Sequence, residues 1–311
     1  MDRRAVSVKS YANIAIIKYW GKKSEVEMIP ATSSISLTLE NMYTETRASI
    51  LPKTVTKDEF YINDILQNEV EHAKISAIID RYRKEKQVFV KVETSNNMPT
   101  AAGLSSSSSG LSALVKACND LFEAGLNQTQ LAHEAKFASG SSSRSFFGPL
   151  SAWDKDSGEI FRVNTDLKLA MIMLVVNEEK KPISSREGMK HCAETSSTFQ
   201  DWVSQSETDY KEMLTYLKDN NFEKVGELTE QNALAMHSAN QHANPPFNYL
   251  TDASYKAMDD VKKLRHQGEK CYFTMDAGPN VKVLCLEEDL EHLSQLLSKD
   301  YQIIASKTVA L

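Results

Sequence analysis

Short segments with a strand pattern and longer segments with a helical period follow one another along the first half of the chain. Residues 5–19 carry Val, Ile, Ala and Tyr with little polar interruption, and residues 35–50 alternate apolar with polar in part, so both predict strands. The apolar positions between 66 and 82 approach a helical period, and residues 88–92 return to a strand pattern. A loop with Pro, Gly and a serine run comes next, and residues 111–122 then have apolar positions at helical spacing.

The second half of the chain has the pattern of a mainly helical region with a few buried strands. Residues 169–177 are almost continuously apolar, which predicts a strand buried on both faces. The remaining predicted elements are helices near 127–138, 199–219, 221–242 and 251–267, and strands at 271–275 and 281–286. No internal repeat is visible. These elements predict an α+β protein of two lobes, an N-terminal lobe of residues 1–180 and a C-terminal lobe of residues 181–311.

The composition is that of a globular protein with a sizeable core, since 41% of the 311 residues are hydrophobic. The first residues, Met1-Asp2-Arg3-Arg4, do not begin an apolar signal segment, and no apolar stretch approaches the roughly 20 residues that span a bilayer. We therefore expect a cytoplasmic protein that has no membrane partner.

The cysteines and the net charge exclude other classes. Cys118, Cys192, Cys271 and Cys285 stand far apart without a Cys-x-x-Cys pair, so we expect reduced, mostly buried thiols rather than a zinc site or a disulfide framework. The net charge of −6 argues against a nucleic-acid partner. It leaves room for small anions, because a pocket needs only a few focused cations and the lysines at 18, 22 and 23 lie close together.

A serine-rich segment from Pro99 to Gly110 lies between a predicted strand and a predicted helix. Unpaired amides at a helix start, with glycines that permit close approach and hydroxyls as added donors, form a good cradle for a phosphate group. An ordinary capped loop would have the same small residues. The segment lacks the Gly-x-x-x-x-Gly-Lys-Ser/Thr pattern of a Walker loop and is no dinucleotide fingerprint either.

Three further segments carry candidate chemistry. Residues 13–22 place two lysines, a tyrosine and a tryptophan around a glycine at a strand end, although a solvated strand tip would look the same. Residues 138–145 are a run of hydroxyls with the single cation Arg144, whose planar fork can hold a carboxylate, although a surface loop is the alternative. Asp276 follows an apolar strand and precedes a Gly-Pro turn, where an aspartate is usually a turn former.

Two other features have simple structural interpretations. Ser184 or Ser185 is expected to cap a helix that begins there, with Glu187 in the first turn. His237 and His242 are five residues apart, which does not place two ligands on one helical face, so we expect them at a helix surface or cap.

Taken together, these motifs resemble a known family. Pro99-x-x-x-Gly103-Leu104-x-Ser106-Ser107 is similar to the signature loop of the galactokinase, homoserine kinase, mevalonate kinase and phosphomevalonate kinase (GHMP) superfamily, with Ser108 where that family more often has Ala. Asn13-Ile-Ala-x-x-Lys-Tyr-Trp-Gly-Lys22 resembles the N-terminal motif of mevalonate diphosphate decarboxylases.

Three downstream segments resemble the same decarboxylases. They are Ser139-Gly-Ser-x-x-Arg144-Ser145, Ser184-Ser185-x-x-Gly188-Met189 and Asp276-Ala-Gly-Pro-Asn280. In mevalonate and phosphomevalonate kinases, the segment that corresponds to the one around Arg144 carries an Asp that acts as the base. This chain has no Asp between Gly140 and Leu150. The resemblance therefore favours a decarboxylase over a kinase.

The resemblance implies a role for each matched residue. Asp276 would act as the base, Arg144 would hold the substrate carboxylate, and Lys18 would offset negative charge. The substrate-binding residues it implies are Asn13, Tyr19, Trp20, Gly21, Lys22, Lys23, Ser139, Gly140, Ser141, Ser142, Ser143, Ser185 and Met189. The ATP-binding residues it implies are Pro99, Ala101, Ala102, Gly103, Leu104, Ser105, Ser106, Ser107 and Ser108.

The resemblance also implies a fold and a reaction. The fold would be two-lobed and GHMP-kinase-like, with a ribosomal protein S5 domain 2-like N-terminal lobe, a helix-rich ferredoxin-like C-terminal lobe and the active site in the cleft between them. The expected enzyme converts mevalonate 5-diphosphate and ATP, with Mg²⁺, to isopentenyl diphosphate, CO2, ADP and phosphate, and works as a homodimer. The alternatives are a phosphomevalonate kinase-like phosphotransferase and a non-catalytic nucleotide-dependent sensor on the same fold.

Overall fold

The computed structural model describes residues 5–84, 88–98, 106–176 and 183–311. Its strands are β1 Ala5–Ile17, β2 Lys22–Ser24, β3 Ile29–Pro30, β4 Ser34–Ile50, β5 Glu59–Ile62, β6 Ile65–Leu66, β7 Val90–Asn96, β8 Leu150–Trp153, β9 Ile160–Val163, β10 Leu169–Val175, β11 Tyr272–Met275, β12 Val281–Leu286 and β13 Gln302–Lys307. Its α-helices are α1 Glu69–Ile79, α2 Ser106–Leu121, α3 Gln128–Ala138, α4 Ser185–Thr195, α5 Phe199–Lys218, α6 Phe222–Gln241, α7 Asp252–His266 and α8 Leu290–Leu297. Short 3-10 helices occupy Gly140–Phe146 and Glu287–Asp289.

The described residues form two compact units. The first contains those within Met1–Asn13, Met42–Met98 and Ser105–Phe146, and the second contains those within Ile14–Asn41 and Phe147–Leu311. The boundary predicted between residues 180 and 181 stays a prediction, because it falls within 177–182, which lie outside the described residues.

In the first unit, strands and helices pack around a core of aliphatic side chains. β7 pairs antiparallel with the Thr44–Ile50 part of β4 and parallel with β5, which in turn pairs with β6. The helix α2 contacts β7, α1 and α3, and its buried residues include Leu114, Val115 and Cys118. Burial of these apolar side chains supplies the main driving force for this unit.

In the second unit, an antiparallel sheet has the strand order β11-β12-β10-β13. Its apolar core includes Phe273, Met275, Val281 and Val283, and it also contains side chains from α7 and α8. Because successive side chains in a strand point to opposite faces, the intervening residue Lys282 points away from that core.

The helix α6 packs against β11 in the same unit. Gly226 permits the close approach, since a Cβ atom at this position would collide with the ring of Tyr272. Thr274 and Lys282 face each other across β11 and β12, and both are fully buried. Residues on α6 therefore reach the surroundings of the turn that follows β11.

The α+β class and most elements predicted from the sequence are confirmed, with ends displaced by a few residues. The helix predicted after the serine run begins inside that run, at Ser106. The run at 138–145 was open to interpretation as a surface loop, and this alternative is wrong, because Ser142, Ser143, Arg144 and Ser145 are buried in a 3-10 helix. All four cysteines are free and buried, as predicted.

One expectation about the histidines is also wrong. His242 is the C-cap residue of α6, as predicted, but His237 is buried inside the second unit rather than at a helix surface or cap. Within the described ranges, no helix is both long and apolar enough to cross a membrane.

Candidate active site

The carboxylate of Asp276 lies between two buried ammonium groups in the second unit. Lys18 Nζ is 2.8 Å from Asp276 Oδ1, and Lys282 Nζ is 3.3 Å from Asp276 Oδ2. Lys18 follows β1, Lys282 lies in β12, and Asp276 begins the turn after β11. Each lysine also donates to a backbone carbonyl, Lys18 to Ala15 and Lys282 to Asn280.

This arrangement keeps Asp276 ionised. Burial by itself raises the pKa of the Asp276 carboxyl, but attraction to Lys18 and then to Lys282 outweighs burial and holds the pKa well below its ordinary value. One negative and two positive charges give the three side chains a net charge of +1. A buried site of this charge favours an incoming anion.

A buried chain of hydrogen bonds holds the backbone at Lys18. The Lys18 amide donates to Asn232 Oδ1 at 2.8 Å, and Asn232 Nδ2 donates to Asp209 Oδ2 at 2.8 Å. Gln205 Nε2 donates to the other oxygen of Asp209 at 2.7 Å. Because Asn232 and Asp209 lie on α6 and α5, two helices of the second unit position this end of the site.

His237 on α6 is a neutral neighbour of the charged cluster. Burial lowers the pKa of His237 to about 3, and repulsion by Lys18 and Lys282 acts in the same direction. Attraction to Asp276 acts against this shift but does not outweigh it. Its ring makes an edge contact with Tyr249 at a centroid distance of 6.3 Å. The imidazole is therefore uncharged at neutral pH and adds no third positive charge to the site.

The segment after Lys18 is packed by aromatic rings. Tyr19 stacks on Trp153 at 5.4 Å, and the Trp20 indole donates to Asn240 Oδ1 at 2.9 Å. Gly21 has a φ of +104°, a conformation that favours glycine, and a Cβ there would press against Phe199. The local backbone of the predicted motif therefore requires this glycine.

The lysines at the end of this segment differ in exposure. The Lys22 side chain is largely buried and pairs with Glu25 at 2.6 Å, whereas Lys23 is exposed. An ammonium group with an exposed carboxylate partner can exchange it for another anion at small cost. Contact of Lys22 and Lys23 with a substrate stays a prediction.

In the first unit, Asn13 organises the serine-rich 3-10 helix through its side-chain amide. Asn13 Nδ2 donates to the carbonyl of Ser141 at 2.9 Å and to Ser145 Oγ at 2.8 Å. The half-buried hydroxyls of Ser139 and Ser141 lie 3.1 Å apart. Neutral hydrogen bonds therefore join Asn13 to the 3-10 helix that carries the predicted substrate-binding serines.

The buried hydroxyls of this segment contact its own backbone. Ser142 Oγ donates to the carbonyls of Ala135 and Ser139, and Ser143 Oγ donates to that of Gly140. These bonds stabilise the turn that carries Arg144, which is itself buried. Substrate contact by Gly140, Ser142, Ser143 and Arg144 remains a prediction.

Most of the predicted phosphate loop lies outside the described residues, namely Pro99, Ala101, Ala102, Gly103, Leu104 and Ser105. The helix α2 begins at Ser106, Ser107 is exposed, and Ser108 Oγ accepts from the Asn13 amide at 3.3 Å. The N-terminus of a helix such as α2 can favour an anion through its first backbone amides. ATP contact by these residues stays a prediction.

The segment around Ser185 begins α4 as the sequence predicts. Ser184 is the N-cap and forms a capping box with Glu187, while Ser185 is half-buried in the first turn. Met189 is part of an apolar cluster with Trp20 and Tyr249. Within the described chain, no group of three His, Cys, Asp or Glu side chains could hold a metal ion.

Comparisons with known proteins show the family of this chain. Residues 10–165 match the diphosphomevalonate decarboxylase-like N-terminal domain, and residues 171–310 match the mevalonate 5-diphosphate decarboxylase C-terminal domain. The chain belongs to the mevalonate 5-diphosphate decarboxylase family. Within this family, the Candida albicans diphosphomevalonate decarboxylase is 31% identical over 96% of this chain and 88% of its own length.

Solved structures of the decarboxylase family have the same fold. The mevalonate pyrophosphate decarboxylase from Streptococcus pyogenes is 69% identical with a TM-score of 0.96, over 100% of this chain and 98% of its own. A structure named as MDDEF in complex with MVAPP, AMPPCP and magnesium is 39% identical with a TM-score of 0.92, over 98% and 97% of the two chains. The GHMP-kinase-like fold expected from the motifs is therefore confirmed.

Motif matching missed three residues near Asp276. Lys282 interrupts an otherwise apolar strand, and this was the available signal. His237 and Asn232 lie on the buried side of α6, but nothing in their spacing sets them apart from other polar helix residues. Their positions depend on packing between α6 and β11, which no local sequence pattern contains.

Proposed function

We propose that the protein is an ATP-dependent mevalonate diphosphate decarboxylase of isoprenoid biosynthesis. It phosphorylates the C3 hydroxyl of mevalonate 5-diphosphate and then releases phosphate and CO2 to form isopentenyl diphosphate, with ADP as the other product. The observation that carries this proposal is Asp276, held ionised between two buried lysines in a chain of this family.

Asp276 accepts the proton of the C3 hydroxyl as that oxygen forms its bond to the γ-phosphorus and ADP leaves. The two lysines make Asp276 a weak base before the reaction begins. The hydroxyl becomes far more acidic as the new bond forms, so proton transfer becomes favourable late in the step. The net positive charge of the site stabilises the phosphoryl group in its transition state.

Arg144 holds the carboxylate that is lost as CO2. A planar guanidinium offers two parallel hydrogen bonds, which fix the acid group in one orientation. Departure of phosphate from C3 leaves an electron-deficient carbon, and the electrons of the breaking carbon–carbon bond form the double bond. Burial of Arg144 excludes water and strengthens its interaction with the acid group.

The diphosphate end of the substrate is bound by Tyr19, Trp20, Gly21, Lys22, Lys23, Ser139, Ser141 and Ser185, with support from Asn13, Gly140, Ser142, Ser143 and Met189. The half-buried hydroxyls of Ser139, Ser141 and Ser185 suit this role, because they are partly accessible. Binding energy from this remote end orients the reacting end.

ATP binds at the serine-rich loop that leads into α2, and Mg²⁺ accompanies it. Magnesium commonly binds through substrate phosphates and one or two carboxylates, so a nucleotide-borne ion does not need a protein cluster. A relative of the family is named as a complex with MVAPP, AMPPCP and magnesium, and AMPPCP is an analogue of ATP. We further propose a cytoplasmic homodimer, and the four free thiols support a reducing compartment.

Incubation of the purified protein with ATP, Mg²⁺ and mevalonate diphosphate labelled at its carboxyl carbon tests this function. The expected result is stoichiometric release of labelled CO2, ADP and phosphate. A stable phosphorylated product would indicate a phosphotransferase instead, and absence of turnover would indicate a nucleotide-dependent sensor. An Arg144→Lys variant keeps the charge without the fork, so it should bind nucleotide normally and release CO2 far more slowly.

A further inference from the structure

Lys282 occupies an unusual position for a lysine. It lies inside β12, between Val281 and Val283, and its side chain is fully buried. Opposite it stand Thr274 of β11 and Met173 of β10, so it is an interior residue of the sheet rather than an edge residue. Lysine is almost never fully buried unless it is paired.

Stability alone does not explain a lysine at this position. Apolar side chains of similar volume at buried ion pairs are often neutral or stabilising, because they avoid the cost of desolvating a charge. Met173 of β10, which stands opposite Lys282, is apolar and buried, so an apolar residue would also suit this position. The ammonium group of Lys282 is directed to the one carboxylate that the proposed function uses.

We propose that Lys282 is a positioning residue that holds the catalytic Asp276 through its second oxygen, while Lys18 holds the first. This inference rests on the proposed function for the role of Asp276. Lys282 lies 3.3 Å from Oδ2, and its bond to the Asn280 carbonyl fixes the ammonium group at 3.2 Å from that carbonyl. Both partners of Lys282 lie in the turn that links β11 to β12, so Lys282 connects that turn to β12.

The two lysines that contact Asp276 can have different roles. Lys18 offsets the negative charge that develops on the phosphoryl group, while Lys282 continues to orient and ionise Asp276. Among the residues that the structure describes, the titratable and charged groups that face Asp276 are Lys18 from the end of β1, Lys282 from β12 and His237 from α6. Since His237 is neutral, the two lysines account for the ionisation of the carboxylate.

Replacement of Lys282 by methionine, which is unbranched and only one atom shorter but carries no charge, tests the proposal. Loss of one charge-assisted contact to Asp276 should lower kcat about tenfold to a hundredfold, with KM for mevalonate diphosphate changed by about twofold or less. The acid limb of the kcat profile should move to higher pH, because Asp276 loses a cation that favours its ionised form. Lys263→Met, at an exposed lysine of α7, is the matched control and should leave kcat and its pH profile unchanged.

A kcat and pH profile of Lys282→Met that match those of the unaltered enzyme would overturn the proposal. If this variant does not fold, Lys18→Met provides the second test, with carbon-13 labelled aspartate to follow the Asp276 carboxyl by NMR. Burial alone raises the pKa of this carboxyl, so with Lys18 gone only Lys282 is expected to keep it ionised at neutral pH. Titration of the carboxyl near neutral pH would show that Lys282 does not hold it ionised and would overturn the proposal. These NMR measurements need no turnover, so failure of the proposed decarboxylation is distinguished from failure of the role of Lys282.

Discussion

Asp276 and Asp260 are both held by two lysines, but the lysines differ in their contact with solvent. Asp260, on α7, lies 2.7 Å from Lys256 Nζ and 2.9 Å from Lys263 Nζ, and these lysines are 66% and 69% exposed. The partners of Asp276, Lys18 and Lys282, are 2% and 0% exposed. The two carboxylates themselves are equally exposed, at 22%.

The two sites reach a similar ionisation state by different means. Burial acts against ionisation in both, and the pKa of each carboxyl is nevertheless held well below its ordinary value. At Asp260 the opposing effect comes mainly from hydrogen bonds, donated by Lys256, Tyr301 and Lys263, whereas at Asp276 it comes first from attraction to the two lysines. Charges attract more strongly where water is excluded. Of the two sites, the buried triplet of Asp276, Lys18 and Lys282 therefore creates the stronger local electric field.

Asp276→Asn should produce the largest effect, because it removes both the proton acceptor and the only carboxylate in the buried triplet. General-base assistance is typically worth about 10²–10⁴-fold, so turnover should fall on the order of 10³-fold. Removal of one partner from a buried ion pair also costs about 3–5 kcal/mol of stability. Steady-state kinetics and urea unfolding measure these effects separately.

Asp276→Glu keeps the charge at this position and separates the two effects. It should recover most of the stability while turnover stays low, since the longer side chain moves the acceptor oxygen. The proposed role of Asp276 would be wrong if folded Asp276→Asn released CO2 within about tenfold of the unaltered rate.

His237→Phe should produce the next largest effect, and it should appear only in acid. In the folded protein the pKa of His237 is about 3, whereas an unfolded histidine has a pKa of about 6.5. Between these values the unfolded state binds one more proton, so the folded state loses stability as the pH falls below about 6.5. Between pH 7 and pH 4.5, the free energy of unfolding should therefore fall by about 2–3 kcal/mol more in the unaltered protein than in the variant. Urea unfolding at the two pH values measures this difference.

The window for His237 is distinct from that for Asp276. The depressed pKa of Asp276 contributes stability that is present at neutral pH and is lost only below about pH 4, as the pH falls through the folded value. Phenylalanine keeps the ring contact with Tyr249, and His266→Phe, at an exposed histidine, is the matched control. Parallel stability curves for His237→Phe and the unaltered protein would show that His237 is not buried in its neutral form.

The comparison of the two aspartates also shows how far the sequence could predict the site. Asp276 and Lys18 were predicted because each lies in a short motif that resembles one of the decarboxylase family. The strand end alone would have left Asp276 a turn former. The capping box at Ser184 and Glu187 was equally accessible, because its partners are three residues apart. Local spacing therefore identifies residues whose surroundings are close in the chain.

The rest of the site depends on distant contacts. Lys282 approaches Asp276 because the chain reverses between β11 and β12. Asn232, which contacts the Lys18 amide, lies on a helix 214 residues further along the chain. No helical spacing in the sequence links Lys282 to Asp276 or Asn232 to Lys18. Asp260 and its two lysines differ, because their i,i+4 and i,i+3 spacing on α7 is a strong local signal. The sequence thus makes the triplet around Asp260 easier to recognise than the triplet around Asp276, to which the proposed function assigns the chemistry.

Asp260→Asn should produce the smallest effect and completes the comparison. Its lysines remain solvated when the carboxylate is lost, so no charge is left buried without a partner. Exposed ion pairs typically contribute about 0.2–1 kcal/mol, and the loss should therefore be about 1 kcal/mol or less, with kcat unchanged. In about 1 M NaCl, where the screening length is roughly 3 Å, the loss should shrink further, whereas the stability loss of Asp276→Asn should persist. Urea unfolding of both variants at low and high salt measures this contrast. If the two variants lost equal free energy of unfolding, the burial of Lys18 and Lys282 would not determine how strongly they attract Asp276. The strong local field inferred at Asp276 would then be wrong.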